Sequence, residues 1–181
     1  MAADRPERLT KLDVVQRQLR TAIRLFFEDG DSVSAYTLAA AAEGVLGGLL
    51  KKQGKRHPFR ESDLIKEGME REFNSILNQP QNFFKHADRD VDAVHDFPAI
   101  ALEYELFECA VLYHMVRGRF LREAWVLFVW FGIHHPDVVN DGPFNEQLAN
   151  LRQRAPSLVT EKRVYLEFLS RPDLHPIMNV E

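Results

Sequence analysis

Apolar side chains recur every three or four residues through most of this chain. The pattern is clear in the first helix-length segment, where Leu12, Val15, Leu19, Ile23 and Phe26 share one helix face. A strand requires alternating apolar and polar residues, and the sequence has no convincing segment of that kind and no internal repeat. The spacing therefore predicts an all-α fold with five or so main helices.

Residues that begin and end helices set the expected bounds. Thr10 with Asp13 resembles a capping box. Ser32 is a suitable cap for a second helix that continues to about Gln53 and ends at Gly54. We expect a basic linker at 55–62, a third helix over about 62–77, a short helix that begins at Pro80, and four more over about 98–117, 120–133, 143–154 and 157–169.

Size and composition fit one globular unit. The 181 residues are 45% hydrophobic and 28% charged, which is enough apolar material for a core. We expect a helical bundle over 1–118, with the helices of 119–181 packed on the same core as an extension. The net charge of −4 excludes a chain that binds nucleic acid through overall positive charge, so any RNA contact needs a local basic patch.

Cysteine usage and apolar segments indicate the location. Cys109 is the single cysteine, so no disulfide forms within one chain, and a reducing cytoplasm is the natural setting. Because Cys109 lies in an apolar run, we expect a buried structural thiol rather than a nucleophile. The most apolar run, 124–133, has about half of the ~20 residues that a membrane helix needs, so we interpret it as a core helix.

The second predicted helix is rich in alanine and contains Gly44, Gly47 and Gly48. Each interior glycine costs about 0.5–1 kcal/mol relative to alanine, so the close approach of another backbone is the expected compensation. That approach occurs either inside a soluble bundle or along a dimer seam. The charged flanks of the segment argue against a membrane span.

The segment NQPQNFFKHADRD, residues 78–90, combines aromatic and ionisable side chains. At about 100° per residue, Phe83 and Phe84 fall on one side of a helix and are expected to anchor it. The opposite side, within an arc of roughly a hundred degrees, presents four polar residues, Asn82, Lys85, His86 and Arg89.

This polar face has two interpretations. Histidine titrates near neutrality and suits proton transfer, while Lys85 and Arg89 could bind a phosphate and Asn82 could orient an oxygen. Alternatively, the face is simply solvated, and the aspartates of 88–92 neutralise the nearby cations. Residue spacing alone leaves both open.

No metal or cofactor is expected. His134 and His135 are adjacent, so their side chains diverge on a helix, whereas helical metal pairs are spaced by three or four residues. Glu103, Glu105 and Glu108 lie on one predicted helix, but the Glu-x-x-His spacing of di-iron bundles does not occur. The sequence also lacks a Gly-rich phosphate loop, a Gly-x-Ser-x-Gly elbow and a Cys-x-x-Cys pair.

Two segments resemble HEPN domains, the higher eukaryotes and prokaryotes nucleotide-binding family. Residues 19–50 are similar to the family's opening hairpin, in which an alanine-rich helix has a glutamate at the place of Glu43. The segment QNFFKHAD, 81–88, is similar to the family motif of an arginine, usually followed by asparagine, and a later histidine, with Asn82 and His86 in register. The resemblance implies an antiparallel HEPN-like bundle, followed by additional C-terminal helices that it does not cover.

The resemblance also implies a function. Many family members are metal-independent ribonucleases that work as homodimers, which assigns proton transfer to His86 and the orienting role to Asn82. The arginine role falls on Gln81, which is neutral and cannot give arginine's charge-assisted contact with a phosphate. Either Lys85 or Arg89 replaces that cation, or the domain is inactive and binds a partner protein.

We therefore expect a cytoplasmic homodimer directed to RNA or to a partner protein, in a defence or toxin–antitoxin setting. An endoribonuclease that uses His86 and a non-catalytic interaction module are the alternatives.

Overall fold

A computed structural model of the chain describes residues 6–59, 70–85, 91–136 and 143–171. No strand lies in these ranges, so the predicted all-α class is confirmed. The helices of the described ranges are α1 (Lys11–Phe27), α2 (Ser32–Lys52), α3 (Glu70–Lys85), α4 (Ala99–Arg117), α5 (Arg122–His134), α6 (Pro143–Arg154), α7 (Ser157–Thr160) and α8 (Arg163–Ser170).

Local hydrogen bonds fix both ends of the first hairpin. The Thr10 hydroxyl accepts from the Asp13 backbone N–H at 3.2 Å, and the Asp13 carboxylate accepts from the Thr10 N–H at 2.8 Å, so the predicted capping box is confirmed. α2 is capped by Asp31, whose carboxylate accepts from the Ser34 N–H at 2.8 Å. The prediction of Ser32 as the cap is wrong by one residue, because the carboxylate is the better placed acceptor.

α2 is the central helix of the described bundle and packs mainly against α1 and α4. Its buried side chains are mostly alanine and leucine. By length and composition α2 is also apolar enough to cross a membrane, a property that the core helix of a bundle shares. In this fold the apolar side chains of α2 are used for packing against α1 and α4.

α3 departs from the expected pattern. The sequence predicts a helix over 62–77 and a separate one from Pro80, whereas the structure has one helix, Glu70–Lys85, with Pro80 inside it. An interior proline removes a helical hydrogen bond and costs about 3 kcal/mol. Pro80 is buried, and Phe84 on the next turn packs against α2, so tertiary contacts on this side of α3 offset the local cost. Residues 62–69 lie outside the described residues.

The C-terminal part of the chain adds further helices to the same core. α4 ends as predicted at Gly118, whose φ of 72° is left-handed, and α6 has the predicted bounds. The single helix expected over 157–169 is instead α7 and α8, separated by Glu161, which is extended, and Lys162. This break lets Lys162 reach Asp29 at 2.8 Å. It also lets Tyr165 stack on Phe27, with ring centroids 5.3 Å apart.

The interior is continuous from α1 to α8. Trp130 of α5 stands edge-on to Phe26 of α1 at 4.7 Å between ring centroids, and most of the apolar run 124–133 is buried. The prediction of a core helix there is confirmed. Cys109 is also buried, as expected, and its thiol donates to the Ala39 carbonyl at 3.2 Å.

Candidate functional site

The predicted polar face is partly visible at the end of α3. Asn82 and Lys85 are exposed and lie one turn apart. Gln81 is half-buried, and its amide donates to the Ala40 carbonyl of α2 at 3.4 Å. His86 and Arg89, the other two members of the face, lie outside the described residues. The structure therefore gives the position of two of the predicted site residues and the contact of a third.

One of the two phenylalanines holds this end of α3. Phe84 is half-buried and packs against Tyr36 and Phe97, at 5.7 and 5.4 Å between ring centroids. Phe83 is 40% exposed and contacts the His95 ring at 5.2 Å. The expectation that both residues are anchors is right for Phe84 and wrong for Phe83, since only one of two adjacent helical residues can face α2 here.

Exposed apolar side chains surround this end of α3. Phe83 is joined by Val91 and Val94, which are 83% and 92% exposed, and by Ile100, which is half exposed. Val91 and Val94 belong to the connector that leads from α3 into α4. Because a protein that remains in water gains nothing from exposing such side chains, a contact with another molecule would stabilise this surface.

A cavity of about 390 Å³ lies between α2, α3, α4 and this connector. Tyr36, Pro80, Tyr104 and Glu105 contribute to its walls, which are mainly apolar. His95 also lines it, and the His95 Nε2 is buried with no hydrogen-bond partner among the residues that the structure describes. The cavity can therefore hold an apolar group.

A buried polar cluster joins α2, α4 and the segment that follows α2. Glu43 of α2, His57 and Glu108 of α4 are 7%, 8% and 3% exposed. The His57 Nε2 is 3.3 Å from the Glu43 Oε1 and 3.2 Å from the Glu108 Oε1. Charged side chains are rarely buried to this degree unless they are paired or bind an ion, so this cluster is the second candidate site.

Sequence reasoning missed this cluster. Glu43 was singled out only through the family resemblance, and Glu108 was considered only for a di-iron site that the spacing disfavoured. His57 was assigned to a basic linker. Two sequence signals could have indicated the cluster. One is a glutamate inside each of two apolar helices, and the other is a histidine shortly after the glycine that follows α2. Gly54 has a φ of 70°, and this left-handed turn directs the chain back towards α4.

Cys109 lies close to the same carboxylates. Burial raises the pKa of its thiol well above the ordinary value, and the negative charges of Glu105, Glu108 and Glu43 raise it further. A thiol with a raised pKa holds little thiolate at neutral pH, and the thiolate is the nucleophilic form. The structural role predicted for Cys109 agrees with this environment.

The adjacent histidines at the end of α5 bind separate partners. His134 contacts the backbone carbonyls of Trp130 and Val159, at 2.8 and 3.2 Å. The His135 Nε2 lies 2.8 Å from a carboxylate oxygen of Glu103. Their nitrogens are thus directed to different elements, as expected for neighbouring residues at a helix end.

No protein-family model matches this chain, and no match is found among curated proteins or solved structures. The fold and the candidate sites define an all-α helical bundle with an exposed polar face on α3 and a buried carboxylate–imidazole cluster. The resemblance to HEPN domains stays a prediction.

Proposed function

We propose that this chain is an RNA-directed, HEPN-like protein whose phosphate-binding face is formed by Asn82, Lys85, His86 and Arg89. One observation carries the proposal: Asn82 and Lys85 are exposed together while Phe84, on the same turn, is held against α2. Two donors held on a helix in this way are presented without the cost of ordering a flexible loop.

Electrostatics favours a local contact rather than a broad one. Because the chain has a net charge of −4, RNA affinity must come from a small set of cations. Lys85 lies in the last turn of the described part of α3 and is exposed. Lys85 and Arg89 supply the attraction for a phosphate in this proposal.

Salt dependence tests the phosphate contact. We expect single-stranded RNA to bind more weakly to Lys85→Ala, and the slope of log K against log salt to fall by about 0.7 for one lost phosphate contact. Lys52→Ala is the matched control, because Lys52 is also an exposed lysine in the last turn of a helix, α2. Equal slopes for the wild type and Lys85→Ala contradict the proposal.

Catalysis is the stronger form of the same proposal. In it, His86 transfers the proton at the ribose hydroxyl, Asn82 orients the reacting group, and Lys85 or Arg89 replaces the cation that Gln81 lacks. The hydrogen bond from Gln81 to Ala40 supports moving that role to another residue. No metal is needed for such a cleavage.

The cleavage assay uses mixed RNA with EDTA present. Cleavage by the wild type that disappears in His86→Ala supports the ribonuclease. Intact RNA with both proteins, together with the salt-dependent binding described above, leaves an RNA-binding protein without catalysis. Cleavage that His86→Ala retains removes His86 from the mechanism.

Binding of a partner protein is the second candidate function. The observation that favours it is the exposed apolar set Phe83, Val91, Val94 and Ile100 beside the polar face. In this case Val94→Ser weakens partner binding while RNA affinity stays unchanged, whereas Lys85→Ala has the opposite pattern. A defence or toxin–antitoxin setting would supply both kinds of partner.

We also propose a homodimer in which the ends of two α3 helices meet. Lys85→Cys tests it, because the native Cys109 is buried and does not compete for cross-linking. We expect a short bismaleimide to link Lys85→Cys into dimers and to leave Lys52→Cys monomeric. Mass photometry measures assembly independently, and a monomer at every concentration contradicts the homodimer.

A further inference from the structure

We propose that Glu43, His57 and Glu108 bind one divalent first-row transition-metal ion. The site lies in the bundle interior and does not depend on the RNA-directed function proposed above. It also differs from the sequence expectation of no metal, which considered only His134, His135 and di-iron spacing.

Three separate elements converge on the proposed site. Glu43 comes from the middle of α2, Glu108 from the middle of α4, and His57 from the segment that follows α2. Their ligand atoms all lie within 4.8 Å of one another. Because α2 and α4 are packed helices, the two carboxylates are held by the core rather than by a flexible loop.

The distances fit a tetrahedral ion. Ligand atoms at about 2.0–2.1 Å from a tetrahedral Zn²⁺ are separated from each other by about 3.3 Å. The His57 Nε2 is 3.3 and 3.2 Å from the two carboxylate oxygens, so two edges of that tetrahedron already have the required length. The ligand atoms of the two glutamates lie within 4.8 Å of each other, so movement of one glutamate has to bring the third edge to the same length.

The donor set and its charge indicate the class of ion. One imidazole nitrogen and two carboxylate oxygens suit Zn²⁺ and related divalent ions, while a site of oxygen alone suits Mg²⁺ or Ca²⁺. Two ionised carboxylates balance the charge of a divalent ion, and removal from water makes that balance important. Three protein ligands also leave a fourth position for water or another molecule.

Binding requires a proton to move on His57. The Phe59 backbone N–H donates to the His57 Nδ1 at 3.3 Å, so without metal the ring proton is on Nε2, between the carboxylates. The proton has to leave Nε2 and move to Nδ1, which frees the Nε2 lone pair for the metal. The Nδ1–H then faces the Phe59 N–H, and because both are donors the segment of Phe59 has to turn away from the ring for metal to bind.

A glycine and an exposed segment border the proposed site. Gly47 lies beside it, and even a Cβ added at Gly47 would be 3.5 Å from the Glu43 Oε1 and 3.9 Å from the His57 ring. Residues 53–56, which directly precede His57, are exposed. Opening of this short segment would expose the imidazole without separating α2 from α4.

Calorimetric titration tests the site. Chelator-treated protein is titrated with Zn²⁺ and with Co²⁺, whose visible absorption reports a tetrahedral environment. We expect one equivalent of each ion per chain, and a loss of affinity of more than about 10-fold in His57→Gln, Glu43→Gln and Glu108→Gln. The wild type alone gives a further readout, since a bound ion raises the thermal midpoint.

The matched control is Glu103→Gln. Glu103 also lies on α4 and pairs with a histidine, His135, at 2.8 Å, but with a single carboxylate and more exposure. We expect Glu103→Gln to keep the wild-type affinity. Absence of saturable binding by the wild type, or unchanged affinity in folded His57→Gln and Glu108→Gln, would overturn the proposal, and so would a loss confined to Glu103→Gln.

Discussion

The ring of Phe84, at the end of α3, stands edge-on to the ring of Tyr36 in α2, with 5.7 Å between centroids and 88° between planes. This contact and the Phe97 contact hold the last turn of α3 against the bundle. They fix the direction in which Asn82 and Lys85 are exposed. The polar face therefore depends on an aromatic contact with another helix.

Phe84→Ala is expected to lower the free energy of unfolding by about 2–3 kcal/mol, less than the about 3–5 kcal/mol typical of a fully buried phenylalanine. Phe83→Ala is the control and should cost less, about 1 kcal/mol, because Phe83 is 40% exposed and does not pack against α2. Chemical denaturation measures both. An equal cost for the two variants would show that the end of α3 is held differently.

Gly44→Ala and Gly48→Ala are expected to stabilise the protein by about 0.5–1 kcal/mol each. Both glycines are exposed on α2, and an added Cβ meets no atom of the described residues within 4 Å. The sequence suggested that another backbone of the same chain packs closely against these glycines. The structure shows no such contact at Gly44 or Gly48 among the described residues.

The same substitutions test the dimer seam that the sequence left open. If Gly44 and Gly48 face a second chain, alanine weakens self-association, and sedimentation at several concentrations detects this. Gly54→Ala is the opposite control and should cost about 1 kcal/mol, because its φ of 70° is unfavourable for alanine. A stabilising Gly54→Ala would contradict the left-handed turn.

Cys109 is expected to resist thiol reagents in the folded protein. Its side chain is fully buried and its thiol contacts the Ala39 carbonyl. Labelling with a maleimide should be slow in buffer and complete in denaturant. Rapid labelling without denaturant would mean that α2 and α4 separate readily, and it would weaken the basis for the metal site between them.

The Asp31 cap predicts a pH dependence with a defined sign. Hydrogen bonds with Ser34, from its side chain first and then its backbone, hold the pKa of Asp31 below its ordinary value of 3.8. A lowered pKa adds stability above pH 3.8, and this contribution disappears as the pH falls through the lower folded value. The stability difference between the wild type and Asp31→Ala should therefore shrink in acid.

Asp31→Asn is the control for that experiment, because asparagine also caps helices but does not titrate. The difference between Asp31→Asn and Asp31→Ala should remain constant across the acid range. Thermal melts from neutral pH down to about pH 2 measure both differences on the same protein stock. A difference between wild type and Asp31→Ala that stays constant in acid would contradict the lowered pKa.

Local sequence signals predicted helix ends well. The Thr10–Asp13 capping box, the glycine that ends α4 and the bounds of α6 all follow from residues within one or two turns. Pro80 shows the limit of such signals. Local energetics favour a helix start at proline, whereas the structure keeps it inside α3, because contacts with α2 offset the lost hydrogen bond.

For the candidate polar face too, local position was predictable from the sequence and contacts with other elements were not. The helical wheel predicted the exposure of Asn82 and Lys85, since both depend on the position along one helix. It could not separate Phe83 from Phe84, because that choice depends on where Tyr36 and Phe97 lie.

The sequence by itself determined that this chain is helical and where most of its helices end, because periodicity and capping act between near neighbours. Only the tertiary structure decided which polar residues meet. Glu43, His57 and Glu108 belong to three elements, and nothing in their spacing encodes the 3.2–3.3 Å contacts that join them. The packing of α2 against α4, together with the turn at Gly54, creates that cluster.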